Sequence, residues 1–273
     1  VGQLFACARP AVPRAPEAAL VLPPLGAAPA ASAGDRPGVV FAHAPAVVGA
    51  RYRVEVHATS ESGDIAAAVQ RSAYDSVFDA EVLAVDGPAP SRVRLSFSKN
   101  AHTYASTTKP TVLEGKTFVV DARAPHVRQP DDREASEEET SRVLDVFPEP
   151  GTRARLDEVL PDAPMQVGET RDAVAAAILR IVHPRAWSLT EGTATLVGTE
   201  AGNAIFRVEL DATSTSGLHM RVAGEARIRL TDARLVLLSL RGGYEEPPDP
   251  AARAPGRFEL VRRTTDAPLT SER

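Results

Sequence analysis

One stretch of this chain occurs twice. Residues 52–63 read YRVEVHATSESG and residues 206–217 read FRVELDATSTSG, identical at eight of twelve positions without a gap. A duplication of this kind constrains the architecture strongly, because repeated units with one apolar face are expected to bury it by joining. In the first copy Tyr52, Val54, Val56 and Ala58 alternate with Arg53, Glu55, His57 and Thr59. In the second, Phe206, Val208, Leu210 and Ala212 alternate with Arg207, Glu209, Asp211 and Thr213. A period of two sets apolar side chains on one face and polar ones on the other, so each copy reads as a half-buried strand. The pairs Ser62-Gly63 and Ser216-Gly217 read as turns.

A second strand is expected after each turn. Residues 218–231 alternate well, with Ala226, Ile228 and Leu230 opposite Glu225, Arg227 and Arg229. The equivalent stretch, 64–85, contains DIAAAVQRSA, which is helical on propensity, but its place in the repeat makes it a strand. Third strands are expected over Ser91–Ser98 and Arg234–Arg241, the latter apolar on both faces, as in a strand covered on both sides. Further strands are expected at Thr117–Asp121, Thr193–Thr199 and Arg257–Thr264.

Two short helices are expected between the halves. Ser136 with Glu139 three residues later is a capping box, and Glu137 and Glu138 complement the positive end of the helix dipole. Val143, Leu144 and Phe147 follow on an apolar stripe ended by Pro148. The second helix is expected over Arg171–Val182, capped by Thr170 and stopped before Pro184. Val174, Ile178, Leu179, Ile181 and Val182 make it apolar nearly all round, so it should lie buried against sheet. Val174, Ile178, Leu179 and Val182 are its candidate ligand-facing residues. The expected fold is mainly β: two repeated antiparallel meanders forming one curved sheet or a sandwich, with the helices between them.

The expected organisation is a start and tether over 1–37, a first β repeat over 38–130, a helical connector over 131–185, a second repeat over 186–265 and a tail over 266–273. Leu4-Phe5-Ala6-Cys7 resembles a bacterial lipobox, which makes Cys7 a candidate for lipidation; the alternative is a free thiol in a disordered leader. As Cys7 is the only cysteine, no intrachain disulfide is available. Residues 8 to 37 are rich in proline and alanine without a sustained period, the composition of an extended tether. No apolar run approaches the ~20 residues of a membrane-spanning helix, so attachment would come from a lipid or a partner.

The order EVLAVDG (81–87), LEGKTF (113–118), a Ser-Glu-Glu helix start and LPDAPMQVGE (160–169) resembles an uncharacterised family of secreted bacterial lipoproteins, of myxobacterial type and β-rich. The resemblance spans roughly residues 49–265. It implies a β-rich fold and an envelope address, and it implies no activity. This chain has Arg171 where the family pattern often has tryptophan after the Val-Gly-Glu segment.

The motifs that suggest chemistry fail on spacing. Gly115-Lys116-Thr117 lacks the glycine five residues earlier that a phosphate loop requires, since position 110 is proline. Ser96 and Lys99 have the spacing of a Ser-x-x-Lys nucleophile, which needs one helix face, whereas Val93, Leu95 and Phe97 mark a strand that sets the two on opposite faces. The histidines at 43, 57, 102, 126, 183 and 219 form no metal-ligand spacing, and His57, aligned with Asp211, reads as a surface residue. A net charge of −5 and no basic stripe argue against nucleic acid.

No catalytic residues, metal or cofactor are therefore assigned. An unfamiliar hydrolase built on carboxylates far apart in sequence would leave no local motif. The expected function is a non-catalytic envelope lipoprotein module, structural or binding another envelope protein, with its anchor in the outer rather than the inner membrane. The alternative is a periplasm-facing carrier that holds a lipid or other apolar ligand between helix and sheet.

Overall fold

The computed structural model describes residues 38–64, 69–121, 126–147, 155–182, 187–215, 217–245 and 253–267. Cys7, the tether expected up to residue 37 and the last six residues lie outside them. The strands of the first half are β1 (Arg51–Asp64), β2 (Gln70–Asp86), β3 (Ala89–Tyr104), β4 (Thr107–Pro110), β5 (Thr117–Asp121) and β6 (His126–Arg128). Helices α1 (Glu137–Val146), α2 (Arg155–Val159) and α3 (Asp172–Val182) follow. The second half holds β7 (Trp187–Glu200), β8 (Asn203–Ser214), β9 (His219–Arg229), β10 (Leu235–Glu245) and β11 (Arg253–Asp266).

All eleven strands form one open antiparallel sheet, ordered β6-β5-β3-β2-β1-β11-β10-β9-β8-β7, with β4 on the end of β3. The chain starts in the middle of the sheet at β1 and meanders outward to β6. It then crosses through the three helices to the opposite edge and meanders back until β11 lies beside β1. The two repeats are thus fused into one curved sheet rather than stacked as a sandwich. Register shifts in the β1–β11, β2–β3, β7–β8 and β9–β10 pairs mark bulges, which bend strands and sharpen their twist. At the β9–β10 crossing the backbones nearly touch. A Cβ on Gly224 would lie 1.8 Å from the Ser239 carbonyl oxygen, and one on Gly242 2.0 Å from that of Arg221, so only glycine fits there.

The period-two readings correspond to β1, β2, β3, β5, β7, β8, β9, β10 and β11; of the stretch 64–73 that is helical on propensity, residues 70–73 are strand and 65–68 lie outside the described residues. Two details differ. Ser62-Gly63 is not a turn: β1 runs on to Asp64 because β11 continues beside it, pairing Gly63 with Ala254. In the second copy the chain does turn, at Gly217 with φ +85°, and the Leu218 N–H donates to the Ser214 hydroxyl at 2.9 Å. Leu238 and Leu240 of β10 are buried while Val236 and Leu237 are half-buried, so only one face of that strand is fully covered.

Helix α1 begins as its sequence requires. The Ser136 hydroxyl accepts from the Glu139 N–H at 3.2 Å, and the Glu139 carboxylate accepts from the Ser136 N–H at 2.8 Å. Thr170 does not cap α3; its hydroxyl lies 2.9 Å from that of Thr195 on β7. The segment before α3 instead covers the β7 edge, the Gly168 N–H donating to Leu196, the Leu196 N–H to Glu169 and the Arg171 N–H to Ala194. At the other edge the Ala135 N–H donates to Val127 of β6. Occupied edges of this kind resist strand addition by another chain.

Apolar side chains gather on the sheet face that carries the helices, in two clusters. One joins α2 and α3 to β7–β10 through Val174, Ile178, Leu196, Phe206, Leu210 and Ile228. The other joins α1 to β1, β2, β3 and β5 through Val54, Phe78, Leu95, Phe97, Phe118 and Val143.

Candidate ligand-binding site

The two clusters are separated where the C-terminal ends of α1 and α3 come over the central strands. A cavity of about 380 Å³ lies there, between α1, α3 and the sheet face formed by β3, β2, β1 and β11. Its apolar wall is Val56 and Ala58 of β1, Phe258 and Leu260 of β11, and Ile181 and Val182 of α3. Tyr74, Asn100, His102, Thr111, Arg142 and Arg262 supply its polar groups, and Asp145 also lines it.

The polar side is built into the sheet register. Arg262 of β11 pairs with Val56 of β1, Val56 with Ser76 of β2, and Ser76 with Asn100 of β3, so these four lie in one row across the strands. Ser76 and Asn100 are almost fully buried and satisfied. The Asn100 amide donates to the Ser76 hydroxyl and to the Tyr74 hydroxyl, both at 2.9 Å, and its carbonyl accepts from the Thr111 hydroxyl. Buried amides and hydroxyls are tolerated on those terms. The His102 ring lies against Tyr74, centroids 4.8 Å apart. Burial and the Arg142 charge push the His102 imidazole below its ordinary range, so it is neutral at pH 7.

Arg262 differs from its row. It lies on the helix-facing side of β11 with Leu260 and Thr264, and makes no hydrogen bond or ion pair to any described residue. Burial lowers its proton affinity, the nearby Tyr52 and Tyr74 partly oppose this, and no carboxylate acts on it. A guanidinium stays charged under any such shift. Tyr52 is engaged elsewhere: the Arg234 guanidinium lies over its ring, 4.6 Å from the centroid.

Of the four α3 residues expected to face a ligand, Val182 lines the cavity, together with Ile181. Val174, Ile178 and Leu179 are instead sealed in the core. The cause is close seating of the first turns of α3 on β7, where a Cβ on Gly192 would lie 3.3 Å from that of Ala175. Only the last turn of α3 reaches the cavity. Tyr74, Asn100 and Arg262 were not singled out by sequence reasoning, and His102 was weighed only as a metal ligand. The signal for Arg262 was its alternation with Phe258, Leu260 and Thr264, which places an arginine on the inward face.

The remaining motifs are structural. Lys116 bonds to Glu139 at 2.6 Å and ties the β5 approach to α1. A bulge in β3 opposite Val77 and Phe78 returns Lys99 to the outward face that Ser96 also occupies. The Ser96 hydroxyl lies 3.1 Å from that of Thr117 and Lys99 bonds to Asp75, so no nucleophile meets a base. His57 pairs with Asp75 and His219 with Asp211 on the outward face. Among the described residues no three His, Cys, Asp or Glu side chains come together as a metal site.

No family model matches this chain, and no curated protein matches its sequence. Two of the solved structures that match do so at low identity. A structure of lipovitellin, described under lipid–protein interactions, is 10% identical with a TM-score of 0.45, over 83% of this chain and 26% of that one. The chain thus spans about a quarter of the lipovitellin chain. DynF of the dynemicin biosynthesis pathway of Micromonospora chersina is 8% identical with a TM-score of 0.25, over 86% of each chain.

Proposed function

We propose that the protein is a non-catalytic binding module of the bacterial cell envelope that holds one apolar molecule between helix and sheet. The observation that carries this reading is the cavity at the seam of the sheet. Its volume falls within the range of about 300–1,000 Å³ of small-ligand sites, and its wall is mostly apolar with a few polar groups at one side. A role in pairing with another envelope protein through a sheet edge has less support, because neighbouring segments occupy backbone groups on both edge strands. A lipid at Cys7, followed by the tether of residues 8–37, would hold the module at the outer-membrane surface. Intact-mass measurement of membrane-extracted protein tests that part, and an unmodified Cys7 contradicts it.

Native mass spectrometry of the full chain with dodecanol tests the binding reading. One bound molecule is expected, lost when Val182→Trp fills the cavity. No adduct, or an adduct indifferent to Val182→Trp, overturns it.

A further inference from the structure

Arg262 gives the cavity a charge preference. We infer that the ligand is a single-chain amphiphile with a carboxylate headgroup, its charge set against Arg262 and its chain along Val56, Ala58, Phe258, Leu260, Ile181 and Val182. This rests on the binding reading above and names the class of molecule bound.

Arg262 is half-buried, and a charge held partly out of water beside an apolar wall is unfavourable unless paired; the other polar members of the row, Ser76 and Asn100, have their partners within the protein. Arg262 has none among the described residues, and the groups acting on it are the neutral phenols of Tyr52 and Tyr74. Its position on a central strand, bonded to β1 on one side and β10 on the other, fixes where the guanidinium starts. A partner that arrives with the ligand removes the cost.

The charges at the site select the partner's sign and number. His102 is neutral at pH 7, and Arg142 is on α1, exposed, with Asp145 also at the cavity. The lining charges Arg142, Arg262 and Asp145 sum to one positive, suited to a monoanion rather than a doubly charged phosphate ester. The planar fork of arginine accepts a carboxylate through two parallel N–H···O bonds. The volume, at the low end for small-ligand sites, suits one alkyl chain rather than two.

The test compares three probes with one tail and different headgroups, laurate, dodecanol and dodecylammonium, titrated into the full chain below their aggregation concentrations. Laurate is expected to bind about ten- to a hundredfold more tightly than dodecanol, the scale of a charge-assisted hydrogen bond, and dodecylammonium more weakly than either. Arg262→Leu should abolish the preference for laurate over dodecanol, and a thermal unfolding transition matching that of the wild type reports that the variant is folded. Equal binding of laurate and dodecanol by the wild type, or unchanged laurate preference in Arg262→Leu, overturns the inference. Dodecanol binding that Val182→Trp abolishes, without a headgroup preference, sinks the carboxylate and leaves the cavity reading standing. Absence of binding by any probe removes both.

Discussion

The two copies of the repeated strand share most of their sequence but have different surroundings. On β8 the inward residues Phe206, Val208, Leu210 and Ala212 are all buried, at 0–2% exposure. On β1 the matching residues are Tyr52, Val54, Val56 and Ala58, of which only Val54 is fully buried. Strand chemistry does not explain the difference, since both copies alternate alike. Position does. β8 lies next to the edge strand on which α3 is seated, whereas β1 lies mid-sheet, under the gap between α1 and α3. A duplicated strand became core in one half and cavity wall in the other because a single connector has to cross the sheet from edge to edge.

Truncation should expose this contrast most clearly. Leu210→Ala removes a sealed core side chain and should cost about 2–5 kcal/mol in chemical denaturation. Val56→Ala, at the matching position, removes a side chain that faces a cavity and should cost about 1 kcal/mol. Equal losses would mean that β1 is as tightly covered as β8.

Enlargement should give the opposite asymmetry. Ala212→Leu overfills a packed site and is expected to cost about 1–3 kcal/mol. Ala58→Leu extends into open space, so stability should hold while dodecanol affinity falls. Comparable destabilisation by the two changes would argue that the cavity is too small to matter.

A smaller effect concerns the helix that bounds one side of the cavity. Ser136→Ala removes the cap of α1 and should cost about 1 kcal/mol. The Lys116 ammonium holds the Glu139 carboxyl below its ordinary range, with the Ser136 N–H assisting against the effect of burial. A carboxyl with a lowered folded value contributes stability above its unfolded value, near ~4.3, and loses it as pH falls through the folded value. Glu139→Gln should therefore flatten the acid limb of a stability–pH curve and leave its neutral-to-alkaline limb in shape.

The smallest effects are expected on the outward face. Burial raises the Asp75 and Asp211 carboxyls, but each is held below its ordinary value overall, the first by His57 and Lys99, the second by His219 and Arg221. The repeat therefore keeps a histidine–aspartate–cation cluster with the residue types exchanged between strands. Asp75→Asn and Asp211→Asn should each cost less than about 1 kcal/mol, diminishing with salt. A much larger loss at one of them would show that the outward faces are not equivalent.

The strands were legible because alternation depends on neighbouring residues alone, and α1 was legible because its capping box is a local pattern. β4, β6 and α2 were not, since three to five residues carry too little period to separate from a loop. That α3 is apolar and buried could be read from Val174, Ile178 and Leu179, but not that its last turn would stand over a cavity. That depends on where the connector comes to rest, which no local pattern encodes. Arg262 was overlooked for a related reason. An arginine in an alternating run reads as the polar face until the partner strands fix which side is inward.

Methyl-resolved NMR during a dodecanol titration tests the contrast most directly, because both strands report in one spectrum. Shifts are expected at the methyls of Val56, Ala58, Ile181, Val182 and Leu260, with Val208, Leu210 and Ala212 unmoved. Shifts that map onto β8, or spectra in which no methyl responds, would contradict it.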